Sequence, residues 1–276
     1  MPLNTSDLPC LSVAIVVYNS SLSLLAKTLS SLSIAAEHAV GNELGSVEVT
    51  IVDNGSTDDY SSRLGAMDFG SLEHTLLRLP ENRGFGAGHN RANKAPNSDY
   101  HLVLNPDVEL APDVLSVAIS TLREDKNMVL VSPYSRGPDG QQEFLCKRYP
   151  SVFVLFLRAF TPGLGRRFFA NHLQRYEMSD VCADEVNVEV PLASGCFMLV
   201  RSDQFAEVGG FDEQYFLYFE DFDLSMRLRT LGRLMYVPSV RIVHHGGYAA
   251  SKGWKHLRMF ASSGSRFFRQ HGWRWI

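Results

Sequence analysis

Three scarcities limit what this 276-residue chain can be. It has four cysteines, no apolar run approaching the roughly 20 residues of a membrane span, and no surplus of positive charge. Cys10, Cys146, Cys182 and Cys196 are scattered without metal-type spacing, which excludes a zinc ribbon or disulfide scaffold and predicts reduced, structural thiols. No amino-terminal stretch has the basic, apolar, small-residue order of a signal peptide, so the chain reads as cytosolic. With 26 Lys and Arg against 30 Asp and Glu, the net charge of -4 argues against a dedicated nucleic-acid binder. Internal repeats and low-complexity linkers are absent too, which leaves one domain with an embellished second half as the economical reading.

What is present is a strand-helix alternation. Leu11 to Tyr18 reads as a buried strand, and Ser21 to Ala39 as a helix with Leu22, Leu25, Leu29 and Leu32 on one side. Val47 to Val52, His74 to Leu79 and His101 to Leu104 supply further strands, and the alternation implies an α/β fold with a mostly parallel sheet. After Pro133 the pattern changes. Gly137-Pro-Asp-Gly140 forms a turn, Val188 to Val190 and Cys196 to Val200 read as strands, and Glu220 to Leu231 as a helix. Arg233 to Val237 and Val240 to Val243 read as a closing strand pair.

Asn105-Pro106-Asp107 ends an apolar strand with two oxygen-bearing side chains, at the sheet edge where open α/β folds bind ligands. Asp53 ends a second strand and opens Asn54-Gly55-Ser56-Thr57-Asp58, which serves equally as plain turn chemistry. The loop Glu81 to Asn90 carries Gly84, Gly86 and Gly88 before a helix. The third glycine is misplaced for a dinucleotide fingerprint, and the loop is not a Walker loop. Glu220-Asp221-Phe222-Asp223 follows the aromatic run Tyr215 to Phe219. If Glu220 opens a helix, Asp221 shares a side with Leu224 and Leu228 while Asp223 pairs with Arg227. An acid-rich first turn favoured by the helix dipole is the bland alternative. His244 and His245 follow a strand and precede glycines.

Taken in order, "VVYN", "VDNGSTD", "ENRGFGAGHN", "LNPDV", "SGCFMLVR", "GGFDEQYFLYFEDFDLSMRL" and "VHHGG" resemble the inverting family-2 glycosyltransferases of GT-A fold, in particular the rhamnosyltransferase-like subgroup. The resemblance runs from Val13 to about Gly247 and implies a Rossmann-like, mostly parallel sheet with flanking helices. It divides the chain into a nucleotide-sugar half (1–110), an acceptor and catalytic half (111–250) and a basic aromatic tail (251–276).

The resemblance also assigns roles. Asp107 would hold Mg2+ or Mn2+ on the donor diphosphate with His244, and Asn105, standing where the family has its first acid, would face ribose or sugar. Asp53 would read the pyrimidine of a dTDP- or UDP-sugar, with Tyr18, Asn19, Asn82, Arg83, Gly84, Asn90 and Gly195 lining the donor site. Asp221 would be the general base and Glu220 would orient the acceptor, a lipid-linked or growing glycan at the inner face of the cytoplasmic membrane. Two rivals share the sheet: a sugar-phosphate nucleotidyltransferase, whose basic glycine-rich loop Leu11 to Ser23 lacks, and a non-catalytic sugar-nucleotide-binding protein.

Lys252 to Ile276 contains Lys252, Lys255, Arg258, Arg266, Arg269 and Arg274, no acid, and all three tryptophans. Trp254, Trp273 and Trp275, with Phe260, Phe267 and Phe268, are expected at lipid headgroup level. The acid-free stretch Phe144 to Tyr176 is either a second contact or a basic helix packed on the domain.

Overall fold

Leu11, Val13, Ile15 and Val17 enter one apolar cluster from the first strand, β1 (Cys10–Val17), while Ala14 and Val16 enter another. That period of two marks a strand covered on both faces. The computed structural model describes residues 8–92, 98–160, 167–183, 185–246 and 253–276, with only the backbone given at 159, 160 and 255. Lys252, Gly247 and part of the stretch 144–176 lie outside the described residues or side chains, as does the Lys255 side chain.

Helix α1 (Leu22–Ala39) starts where the Ser21 hydroxyl accepts the Leu24 amide at 3.4 Å, and it lays Leu25, Leu29 and Leu32 on the sheet. Burying each such side chain contributes about 1.5–3 kcal/mol. Strands β2 (Ser46–Asp53), β3 (Glu73–Arg78) and β4 (Tyr100–Leu104) extend the parallel sheet, with α2 (Asp58–Gly65) and α3 (Phe85–Ala92) in the connections. Next come β5 (Val108–Leu110), α4 (Val114–Glu124), β6 (Met128–Arg136), β7 (Gln142–Glu143), α5 (Val152–Phe160), α6 (Ala170–Tyr176) and β8 (Val188–Glu189). The described chain closes with β9 (Phe197–Arg201), α7 (Ser202–Glu207), α8 (Glu220–Leu228), β10 (Arg233–His244) and α9 (Gly253–His271).

The sheet order is β3-β2-β1-β4-β9-β6-β10-β5, with β7 on β6 and β8 on β10. Strands β3, β2, β1, β4, β6 and β10 run in one direction; β9 runs against them between β4 and β6. Both halves of the sequence therefore share one sheet. Asp53, Asn105 and His244 stand at its carboxyl edge, because each ends or follows a strand of the common direction.

Three expectations are corrected. Arg233 to Val237 and Val240 to Val243 are one strand, not a pair: β10 slips register on β6 between Val237 and Arg241, and Pro238 sits in that irregularity instead of ending the strand. The acidic helix stops at Leu228 rather than Leu231. Gly232 then lies so close to the Asn127 carbonyl that no side chain fits there. Finally, Phe267 and Phe268 are not lipid-facing; they are buried with Tyr215 and Phe219 in a separate cluster under α5, α6 and α9, and Phe260 is partly buried against it.

Candidate active site

Around the loops at the strand ends of the first half, polar side chains bind backbone. Asp53 is 1% exposed. Its carboxylate accepts the Ser56 amide at 3.0 Å and the Ser61 hydroxyl, with Arg78 Nε at 3.9 Å. Asn19, at φ +46°, uses its side-chain oxygen to accept the Thr57 amide (3.1 Å) and hydroxyl (3.2 Å), which leaves the neighbouring Tyr18 ring half exposed at the sheet edge. Asn82 Oδ1 accepts the Gly84 amide at 2.9 Å and the Asn54 amide group at 3.2 Å. Arg83 reaches the exposed Glu81 carboxylate at 3.2 Å.

Gly84, at φ +94°, lies against the Phe216 backbone, where a Cβ would collide, and the Phe85 amide donates to the Phe216 carbonyl at 3.0 Å. The loop Glu81 to Asn90 is thereby fastened to the aromatic run of the second half. Asn90, expected in the donor pocket, bonds to the second half of the chain. Its oxygen accepts the Phe211 amide at 2.9 Å, and its amide group donates to the Phe211 carbonyl (2.9 Å) and Glu213 (3.2 Å). It is a bracket between the halves.

Asp107 and His244 come together as expected. Pairing of β5 with β10 sets His244 opposite Val108, and His244 Nε2 is 3.7 Å from Asp107 Oδ1, too far for a hydrogen bond. That oxygen is buried without a hydrogen-bond partner. The other ring nitrogen, Nδ1, is 2.9 Å from Glu143 Oε2, an arrangement that fixes the ring and directs Nε2 at the aspartate. A Cβ on Gly246 would lie 2.6 Å from His244 Nε2 and 2.7 Å from Asp107 Oδ2, so only glycine leaves this space open.

An oxygen and a nitrogen donor, an orphaned carboxylate oxygen and a kept-open space fit a divalent cation. No group of three protein ligands occurs among the described residues, so the other positions would fall to phosphate and water oxygens, as Mg2+ and Mn2+ accept. His245 is used differently, with its amide on the Asp107 carbonyl at 2.9 Å and its ring 2.7 Å from Glu109.

Helix α8 begins under strain: Tyr218 (φ +72°) and Phe219 (φ +66°) are both left-handed, and no side chain caps the helix. The turn delivers Glu220 and Asp221 into apolar surroundings. Glu220 is buried, one carboxylate oxygen lacks a partner, and burial with Asp221 beside it holds the acid well above the usual glutamate range. Burial also raises Asp221, against hydrogen bonds from Gly195 N to Oδ2 (3.0 Å) and Phe222 N to Oδ1 (2.9 Å). Gly195 thus orients the carboxylate and packs beneath the Phe85 ring. Asp223 is neutralised by Arg227 (2.7 Å) and bonded to His271 (2.8 Å), while Arg227 also donates to the Val208 and Gly210 carbonyls at 2.7 Å. Leu224 and Leu228 are buried, as the helical register requires.

A cavity of about 770 Å3 has His244, Glu143, Glu220 and Asp221 in its wall, together with Lys147 and Arg158. Sequence reasoning missed Glu143 and these two cations. Glu143 lies 101 residues from His244, and no spacing rule joins them. Asn105 is half buried at the same sheet edge, its amide on the Cys196 carbonyl at 2.9 Å.

Residues 12–208 match the sequence profile described as Glycosyl transferase family 2. The chain is similar to the N-acetylglucosaminyl-diphospho-decaprenol L-rhamnosyltransferase of Mycobacterium tuberculosis, 30% identical over 243 residues, 83% of this chain and 74% of that one. It is similar as well to rhamnosyltransferase WbbL of Escherichia coli, 30% identical over 171 residues, 59% of this chain and 61% of that one. Among solved structures it resembles GalNAc-T7 with UDP, GalNAc and Mn2+, at TM-score 0.64 and 15% identity, covering 95% of this chain and 48% of that chain. It also resembles the mannosyltransferase PcManGT of Pyrobaculum calidifontis with GDP-Man and Mn2+, at TM-score 0.61 and 18% identity, covering 95% and 66%. The fold is that of the GT-A glycosyltransferases.

Proposed function

Because the chain belongs to glycosyl transferase family 2, we propose that this hexosyltransferase moves rhamnose or a related deoxyhexose from a dTDP- or UDP-sugar to a hydroxyl of a lipid-linked or growing cell-surface glycan. The rhamnosyltransferase relatives, one of them named for a diphospho-decaprenol acceptor, support that choice of sugar and acceptor. The observation that carries it is Asp221, an oriented carboxylate with a raised proton affinity in the wall of a large cavity.

In this reading a remaining lone pair of Asp221 takes the acceptor hydroxyl proton. The acceptor oxygen bonds the anomeric carbon from the face opposite the nucleoside diphosphate, which leaves with the electrons of the broken C–O bond, so configuration inverts. Asp107 and His244 would hold Mg2+ or Mn2+, which supplies positive charge against the leaving diphosphate. Mn2+ beside nucleotide or nucleotide-sugar in the two solved structures supports a divalent ion. Gly84, Asn82 and Arg83, with Tyr18, Asn19, Asp53 and Asn105, would frame the donor in residues 1–110, and 111–250 would supply the acceptor side.

Incubation with dTDP-rhamnose, Mn2+ and an N-acetylglucosaminyl diphosphate lipid tests the proposal. Release of dTDP with an inverted glycosidic product supports transfer. Pyrophosphate release would indicate a nucleotidyltransferase, and donor binding without product a binding protein.

Peripheral attachment to the inner face of the cytoplasmic membrane is part of this proposal, with a revised set of contacts. Trp254 (77% exposed), Trp275 (66%) and Phe168 (66%) remain available beside Arg258, Arg269 and Arg274; Phe267 and Phe268 do not. No described helix is long and apolar enough to cross a membrane. Liposome flotation of Trp254→Ser and Trp275→Ser chains tests it, since removing all of α9 would also remove core phenylalanines. Flotation equal to the parent's in both variants would refute the attachment.

A further inference from the structure

Lys147 is an expensive residue in its place. Its backbone is fixed by a bridge to Leu192, with its amide on the Leu192 carbonyl at 2.9 Å, and its ammonium donates to the Phe144 carbonyl, a neutral acceptor. Arg158 of α5 lines the same cavity, with its guanidinium 5.2 Å from the Tyr176 ring centre and Nε 3.9 Å from Glu177. Glu220, on the same wall, is pushed by burial well above the usual glutamate range, which weakens it as a counter-charge.

The groups acting on Lys147 are Arg158 from α5, Glu177 after α6, and the thiols of Cys146 and Cys182. Asp221 of α8 senses Lys147 in turn. Burial and the nearby Arg158 depress the ammonium to about 8, the state of a cation that lacks full compensation. The rest of the cavity wall includes Phe144, Leu155, Leu257 and Phe260, which are apolar.

We propose that Lys147, with Arg158 beside it, grips a phosphate group of the acceptor, so that this cavity selects a sugar joined through phosphate to an apolar chain. The inference rests on the reading of Asp221 as the base that faces the acceptor. Glu177 offsets part of the charge on Arg158, while the Lys147 ammonium faces a neutral carbonyl, so an entering phosphate would supply counter-charge to both cations, and the base in the same wall requires the acceptor to come there. The apolar residues of α5 and α9 suit the first carbons of a lipid. The donor diphosphate is the other possible source of the anion, and the experiment separates the two.

With the donor site saturated by dTDP and Mn2+, calorimetry compares an alkyl diphosphate-linked N-acetylglucosamine with its neutral alkyl glycoside. The parent should prefer the diphosphate probe by about 10-fold or more, Lys147→Met should remove that preference, and Lys147→Arg should restore most of it. In transfer assays Lys147→Met should raise KM for the diphosphate acceptor about 10- to 100-fold, leave the neutral acceptor within about 2-fold, and leave the Kd for dTDP-rhamnose unchanged. Unchanged donor binding also certifies the fold of the variant. No preference in the parent, equal losses on both probes, or loss of donor binding in Lys147→Met would each overturn the proposal. A diphosphate preference without transfer would uphold the grip and refute the transferase reading instead.

Discussion

The two sides of the site are built on opposite plans. On the proposed donor side Asp53, Asn54 and Asn82 use their hydrogen bonds on nearby backbone, so the loops stand ready-made. On the proposed acceptor side Glu220 has an unpartnered oxygen, burial raises Asp221, and Lys147 and Arg158 share a cavity. Satisfied polar groups specify shape; charges left uncompensated in apolar surroundings supply chemistry. Asp107 and His244 lie between these plans, the histidine oriented by Glu143 and the aspartate with an orphaned oxygen.

The strongest way to separate the two sides is Asp221→Asn. Turnover should fall about 100- to 10,000-fold while donor binding, read by calorimetry, hardly changes. Asp107→Asn should lose donor binding as well. Near-parent turnover of Asp221→Asn would move the base to Glu220 or Asp212, since Asp223 is held by Arg227 and His271.

Gly246→Ala attacks the junction by placing a methyl against His244 Nε2 and Asp107 Oδ2. Mn2+ titration of donor binding should then show about 10- to 100-fold weaker metal affinity, the scale of a disturbed ligand shell. Unchanged Mn2+ dependence would remove His244 from the site.

Asn90→Ala sharpens the contrast from the donor side. If Asn90 is a bracket, urea unfolding should show a loss of about 2–3 kcal/mol from its broken hydrogen bonds. The folded variant should bind donor within about 2-fold of the parent. A large loss of donor affinity with unchanged stability would restore it to the pocket.

Two smaller effects are read against pH. KM for a diphosphate acceptor should rise as pH climbs through about 8, where Lys147 gives up its proton. Glu220→Gln should stabilise the fold by about 1 kcal/mol at neutral pH, because the folded parent holds the Glu220 proton more tightly than the unfolded chain does. That penalty is absent below the unfolded glutamate pKa of about 4.3 and grows as pH rises towards the higher folded value. Parallel stability-pH curves for variant and parent would contradict the raised proton affinity of the buried Glu220.

Elements with a strong local period were legible in the sequence. The apolar run of β1, the leucine stripe of α1, and the pairing of Asp223 with Arg227 follow from rules that span a few residues. The chemistry of Asn105-Pro106-Asp107 was visible because a proline ends a strand there. What distant packing decides was not. Arg233 to Val237 and Val240 to Val243 looked like two strands until β6 supplied a partner able to slip, and the carboxyl-terminal phenylalanines looked exposed until α9 folded back on Tyr215 and Phe219. Glu143, Lys147 and Arg158 gain meaning only from the surface they share.

The left-handed pair Tyr218-Phe219 has a consequence for how the enzyme is made. Neither residue favours that backbone, and the conformation is held by aromatic contacts of Phe219 with Phe260 (5.1 Å) and Phe267 (5.5 Å) on α9. During synthesis α9 leaves the ribosome after every other element described here, so Glu220 and Asp221 lack their final positions until it docks. Under the proposed mechanism, a nascent chain whose first strands are already paired would still lack a placed Asp221, and the docking of α9 would act as the arming step.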